Sequence, residues 1–263
     1  MTATVTSADG TRIAFDSTGE GTPVILVGGA MNDRTSVAGL AAVLADAGFR
    51  AVAPDRRGRG DSGDAAAYEV AREVEDLAAL ISHVGGSAAV FGHSSGAILA
   101  LEAASRGLPI IKVAAYEPPF VVVDSRRRPG EDLVARVRAR LSADDRDGAV
   151  ELFLTEGVGA PEQQVAGMKA SPAWSWCTAL APTLAYDLEI CGPGNHLPAD
   201  HLAKIGVPVL AIGGGTGEEW LRAGARAVAS AVPGGRYETL EGQDHSVLNQ
   251  PESLRALLSG FLA

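Results

Sequence analysis

The sequence predicts an α/β protein: a mostly parallel eight-stranded sheet with helices on both faces and a helical insertion after the sixth strand. Three observations carry this expectation. Short apolar runs that end in glycine or proline alternate with amphipathic stretches, which is the pattern of strand–helix–strand units. Several runs are apolar throughout rather than at every second residue, so they suit strands buried on both faces. The alternation lapses over residues 124–205, which read mostly as helix, and then resumes.

Residues 2–5 and 12–16 flank the pair Asp9-Gly10 and read as a hairpin. Residues 23–29 (PVILVGG) form a buried strand. A helical pattern over 37–47 is closed by Gly48. Residues 49–54 are a strand ending at Asp55, and 68–84 carry apolar residues at helical spacing. A strand at 88–92 precedes a helix at 97–106 that stops at Gly107, and a strand at 110–116 is stopped by Pro118-Pro119. The insertion reads as helices over 132–141, 145–154, 161–169 and 173–188. Strand 207–213, helix 218–232, strand 235–240 and helix 251–262 complete the chain. The expected division is a core over 1–123, a helical cap over 124–205 and the rest of the core over 206–263.

The 263 residues carry 22 basic and 32 acidic side chains, a net charge of −10. That balance weighs against nucleic acid and against an anionic membrane surface as partners. No apolar stretch reaches the roughly 18 residues needed to span a bilayer. The N-terminus reads as a hairpin rather than a signal peptide. Cys177 and Cys191 are the only cysteines, and two thiols in a chain this long suggest a reducing, cytoplasmic setting. There is no CxxC and no His/Cys cluster with metal-ligand spacing, so neither metal nor cofactor is implied. Arg126-Arg127-Arg128 reads as a solvated loop, and no Arg or Lys stands near the motifs below to demand a carboxylate on the substrate.

The chemistry centres on Gly92-His93-Ser94-Ser95-Gly96, a G-x-S-x-G motif between a strand and a helix. In that setting the tight turn lifts the Ser94 hydroxyl above the sheet. It also aims the Ser95 N–H, at a helix N-terminus, toward a developing oxyanion. A serine needs a base, and of the five histidines His245 lies on a loop after the last strand, where α/β sites assemble. The acid that would orient it should lie between Ser94 and His245 in the chain. The usual position, after the seventh strand, reads Gly213-Gly214-Gly215-Thr216-Gly217-Glu218-Glu219 and holds no Asp. The end of the sixth strand holds Glu117, which is the preferred choice, with Glu218, Glu219, Asp244 or no acid at all as alternatives. The second oxyanion donor is expected from the loop Gly28-Gly29-Ala30-Met31: the Ala30 N–H first, Gly29 second, with Met31 lining the pocket. Phe120, Trp174, Trp176 and Tyr186 are the further candidates for a pocket wall. Asp187 and Glu189 read as surface positions, with substrate contact as the alternative.

These motifs together resemble the α/β-hydrolase superfamily over essentially the whole chain. The resemblance includes Gly28-Gly29, the elbow, His245 and the turn Asp55-Arg56-Arg57-Gly58-Arg59-Gly60-Asp61-Ser62, which is similar to the family's D-x-x-G-x-G-x-S signature and is structural there. Most members carry His-Gly where this chain has Gly28-Gly29. An acid after the sixth strand is similar to one branch of the haloalkane dehalogenases, but those use an Asp nucleophile where Ser94 stands. The resemblance therefore implies the serine-nucleophile members: esterases, lactonases, thioesterases, carbon–carbon bond hydrolases and cofactor-free perhydrolases. The expected activity is hydrolysis of an ester-type bond in a small, largely apolar substrate through an acyl-enzyme. Acid–base chemistry of a lyase or cyclase, and a non-catalytic receptor for a small ligand, are the alternatives.

Overall fold

The computed structural model describes residues 2–65 and 67–263. Eight strands form one sheet: β1 (Ala3–Thr6), β2 (Arg12–Thr18), β3 (Thr22–Val27), β4 (Phe49–Pro54), β5 (Ala88–His93), β6 (Ile110–Tyr116), β7 (Val209–Gly214) and β8 (Arg236–Leu240). Their spatial order is β1-β2-β4-β3-β5-β6-β7-β8. The hairpin β1–β2 and the β2–β4 pair are antiparallel; every other neighbour is parallel. The chain changes direction across the sheet at β3 and β5, and ligand sites of open α/β sheets form at the C-terminal ends of such strands.

The helices are α1 (Ala38–Asp46), α2 (Val70–His83), α3 (Ser95–Ser105), α4 (Leu133–Ser142), α5 (Arg146–Leu152), α6 (Glu162–Lys169), α7 (Ala173–Ala179), α8 (Leu184–Cys191), α9 (Ala199–Leu202), α10 (Glu219–Ala231) and α11 (Arg255–Leu262). Alternation along the strands shows why both faces of the sheet are covered. Ile25 and Val27 of β3 belong to a cluster with Leu77, Leu99 and Val228 of α2, α3 and α10. Val24 and Leu26 point the other way, into a cluster with Leu40, Leu44 and Leu258 of α1 and α11. The helices between β6 and β7 have a third cluster of their own, built on Leu133, Val150, Phe153, Trp174 and Leu184, with Ala30 and Met31 packed against it. The segment therefore sits on the loop that follows β3.

Three helical stretches differ from the sequence pattern. The stretch 173–188 is two helices, α7 and α8, separated by the 3-10 turn Ala181–Thr183. Pro182 lies in that turn, where it has no N–H to give and its ring crowds the preceding carbonyls. α5 runs into a π-helical turn, Phe153–Val158, that ends at Gly159 with φ +80°. The last helix begins as the 3-10 turn Pro251–Leu254. Among the described residues no helix is long and apolar enough to cross a membrane.

Candidate active site

Ser94 sits between β5 and α3 with φ 56° and ψ −125°, a conformation that side chains other than hydrogen rarely adopt. The flanking glycines allow it. A Cβ on Gly92 would lie 2.5 Å from the Ala97 Cα, and one on Gly96 would lie 2.7 Å from the Gly28 carbonyl oxygen. Ser95 begins α3, so its N–H has no intrahelical acceptor. The Ser94 side chain opens into a cavity of about 670 Å³ that is also lined by Ala30, Ser95 and His245. Among the described residues the Ser94 hydroxyl makes no hydrogen bond within the protein.

His245 lies beyond β8, and its Nδ1 is 2.6 Å from Glu117 Oε2. Glu117 follows β6 with φ +45° and is fully buried; its other oxygen accepts the Gly214 N–H at 2.8 Å. The structure thus brings Glu117, rather than Glu218, Glu219 or Asp244, to the imidazole. Asp244 instead accepts the Ser246 N–H.

The loop bearing His245 is held by three successive carbonyls. Thr216 donates to the Gln243 oxygen from both its N–H and its hydroxyl, each at 2.9 Å. The Tyr116 hydroxyl donates to the Asp244 oxygen at 2.6 Å, and His93 Nε2 donates to the His245 oxygen at 2.9 Å. A carbonyl partner fixes the proton of His93 on Nε2. Burial first, then the nearby His245, pushes the His93 pKa down to about 3, so this ring is neutral. No motif marks His93 or Tyr116 for this holding role. Their positions, one inside the elbow and one beside Glu117, were the available signal.

A buried ionic cluster lies beneath the cavity. Asp187 of α8 is 1% exposed, not a surface residue, and this corrects the sequence expectation. Its carboxylate meets Arg56 Nη1, Arg59 Nη2 and the Ser95 hydroxyl, each at 2.7 Å. Burial opposes its ionisation, but the Arg59 and Arg56 charges and the Ser95 hydrogen bond outweigh burial and hold the carboxyl below its usual range. Arg56 also forms a fork with Glu73 at 2.7 and 2.8 Å, and Tyr68 donates to the same carboxylate. Arg59 donates to the carbonyls of Gly29 at 2.6 Å and Asn32 at 2.9 Å, so the Arg56–Arg59 turn fastens the loop after β3.

None of the five residues expected to contact substrate is among those lining this cavity, and Met31 packs instead against the cluster of the insertion helices, which covers the loop after β3. Phe120 is buried in the core with Ile98 and Cys191, because the chain folds back after Pro118-Pro119 and turns the ring inward. Trp174 is buried among the insertion helices, bonded to Asp147. Trp176 donates to the Met31 carbonyl at 2.9 Å, which ties α7 to the loop after β3. Tyr186 stacks on Tyr68 with ring centroids 3.8 Å apart, and its hydroxyl bonds Asp64. The wall around Ser94 is made instead by Phe153, Val158, Pro161, Leu188, Trp220 and Leu221, among others. Arg126 also lines it: the loop around it is exposed, but this residue is partly buried, so a cationic side chain does reach the site. Among the described residues no group of three or more His, Cys, Asp or Glu side chains is placed to hold a metal ion.

The geometry can be set beside known proteins. The chain is 46% identical to an alpha/beta hydrolase from Sphaerobacter thermophilus, whose crystal structure superposes with a TM-score of 0.93 over 99% of this chain and 100% of that one. It is 28% identical to a Mycobacterium tuberculosis protein named "Putative non-heme bromoperoxidase BpoC", over 96% of this chain and 98% of that protein. An esterase from Exiguobacterium antarcticum shares the fold, with a TM-score of 0.75 at 20% identity over 100% of this chain and 99% of that one. A model of the alpha/beta hydrolase family matches residues 24–257. By that match, and by its mostly parallel sheet with Ser94 at the turn after β5, the chain belongs to the alpha/beta hydrolase family.

Proposed function

We propose that this hydrolase cleaves an ester-type bond (a carboxylic ester, lactone or thioester) of a small substrate through an acyl-enzyme on Ser94. The supporting observation is the 2.6 Å contact between His245 Nδ1 and the fully buried Glu117, at the edge of the cavity into which Ser94 opens. With Nδ1–H donated to Glu117, Nε2 of His245 is the free basic nitrogen. It takes the proton as the Ser94 oxygen adds to the carbonyl carbon, and returns that proton to the departing alcohol, enol or thiol. Water then adds to the acyl carbon, giving its proton to His245, and Ser94 leaves as the hydroxyl. The Ala30 and Ser95 N–H groups hold the oxyanion. The Ser94–His245 hydrogen bond forms in the substrate complex, as such bonds often tighten only there. The helices between β6 and β7 act as a cap that keeps bulk water out.

The relative named as a bromoperoxidase favours a second use of the same intermediate: hydrogen peroxide in place of water would release a peracid. Fluorophosphonate labelling, read by intact mass and peptide mapping, tests the nucleophile. One adduct on Ser94, absent in Ser94→Ala, is expected, followed by turnover across an ester and lactone panel with and without peroxide. An unlabelled protein that still binds or transforms a small ligand would replace this reading with acid–base chemistry or a receptor.

A further inference from the structure

Arg126 is the one cation lining the Ser94 cavity whose charge no carboxylate within ion-pair distance answers, among the described residues. Its guanidinium is seated by three residues, Gly157 and Gly159 of one turn and Trp220 of α10. The Nη2 group donates to the Gly157 carbonyl at 3.0 Å. The plane packs on Gly159, where a Cβ would lie 2.6 Å from Nη2, so only glycine leaves the space at this φ of +80°. The guanidinium carbon lies over the Trp220 ring of α10, 5.1 Å from its centroid. The Nε–H is buried without a partner among the described residues. Burial lowers the pKa of Arg126, and the charge of Glu218, which raises it, does not make up the difference.

The other charges of the cavity wall are accounted for. Asp187 is closed by Arg56 and Arg59. Glu219 is closed by Arg222 and Arg226. Glu218 is exposed to water. A positioned, partly desolvated guanidinium with free donors, facing the same space as a serine hydroxyl, lacks one thing: a planar anion. We propose that Arg126 is a subsite for a carboxylate carried by the substrate, so that the molecule cleaved is a monoanionic half-ester, or a lactone bearing a carboxylate. A single unmatched cation suits one negative charge, and the guanidinium fork suits the two oxygens of a carboxylate. This inference rests on the serine-hydrolase reading for the position of the scissile carbonyl and replaces the largely apolar substrate expected from the sequence.

The test pairs 4-nitrophenyl hydrogen glutarate with its methyl ester, which differs only in the masked carboxylate. The wild-type protein is expected to favour the anionic ester in kcat/KM by about tenfold or more, and Arg126→Gln to lower that ratio by about 10- to 100-fold, the range for a charge-assisted hydrogen bond. Arg126→Lys keeps the charge without the fork and should fall between them. A wild-type ratio near one, or a ratio unchanged in Arg126→Gln, overturns the subsite. Turnover of neither ester, with no fluorophosphonate adduct, defeats the serine reading alone. In that case, or if Arg126→Gln does not fold, thermal stabilisation of Ser94→Ala by monomethyl glutarate against dimethyl glutarate decides. Greater stabilisation by the anion supports the subsite, and equal stabilisation overturns it.

Discussion

Changing Glu117 to glutamine alters one atom, and the surroundings dictate how the new group must sit. In the native site Oε1 accepts the Gly214 N–H at 2.8 Å and Oε2 faces His245 Nδ1 at 2.6 Å, with no solvent access to either. The amide oxygen of Glu117→Gln has to stay on the Gly214 N–H, because an NH₂ there would set donor against donor at a cost of about 1–3 kcal/mol. The amide nitrogen then faces Nδ1, which must become an acceptor. The histidine proton moves to Nε2, the nitrogen that must receive the proton of Ser94. A histidine held in the wrong tautomer costs about 10⁴ in kcat, or about 5.5 kcal/mol of barrier. Steady-state kinetics on an activated ester, with fluorophosphonate labelling rates as a second readout, check this. Both should fall together while KM and the thermal midpoint move little. A Glu117→Gln protein that keeps kcat within about a factor of ten, or about 1.4 kcal/mol, of wild type would refute the reasoning and return Glu218 and Glu219 to consideration.

Ser94→Gly should lose turnover yet gain about 1 kcal/mol, because a serine at φ 56° stores strain that glycine avoids; a melt should show a midpoint raised by about 2–4 °C. Asp187→Asn should cost about 3–5 kcal/mol in urea unfolding, since it leaves Arg59 buried with its charge unanswered, while Arg56 keeps Glu73. Asp187 has a lowered pKa in the folded state, so its contribution is complete above the ordinary carboxylate pKa of about 3.9 and is lost as pH falls through the lowered value. The gap between wild type and Asp187→Asn should therefore narrow in acid, and a gap independent of pH would contradict the ionic assignment. Gly96→Ala should destabilise by about 1–3 kcal/mol and depress kcat, because its Cβ would press on the Gly28 carbonyl; unchanged melting and kinetics would show that the loop gives way freely.

The features legible in the sequence were those written locally. The order of strands and helices follows from apolar period, and the placement of Ser94 follows from a motif whose glycines are demanded by backbone within contact distance. Glu117 could be singled out because the end of β7 is glycine where an acid was sought. Those same glycines are needed there, since a Cβ on Gly214 would lie 2.8 Å from the Tyr116 hydroxyl and one on Gly217 would lie 3.2 Å from Glu117 Oε1. The cavity wall was not legible. Trp174, Trp176 and Tyr186 were reasonable lid residues by type, but which face of a short helix meets the core depends on where Pro182 breaks the chain and how the pieces pack. Asp187 and Arg126 failed for the same reason. The first meets Arg56 across 131 positions of sequence, and the second turns inward only because Gly159 and Trp220 leave a seat for it.

The Arg56–Arg59 turn sets the backbone of the loop after β3, through Arg59 on the Gly29 and Asn32 carbonyls. All described peptide bonds are trans, so the carbonyl of Gly29 and the N–H of Ala30 point in opposite directions. Arg59 holds that carbonyl at 2.6 Å, so the Ala30 N–H points away from Arg59, and Ala30 itself lines the cavity. Asp187 in turn holds Arg59 with one oxygen and the Ser95 hydroxyl with the other. Both N–H groups proposed for the oxyanion are therefore fastened, through one or two contacts, to a single carboxylate that arrives from the helical segment. A buried ion pair of this kind contributes little net stability once desolvation is counted, so geometry is the better reason for its presence.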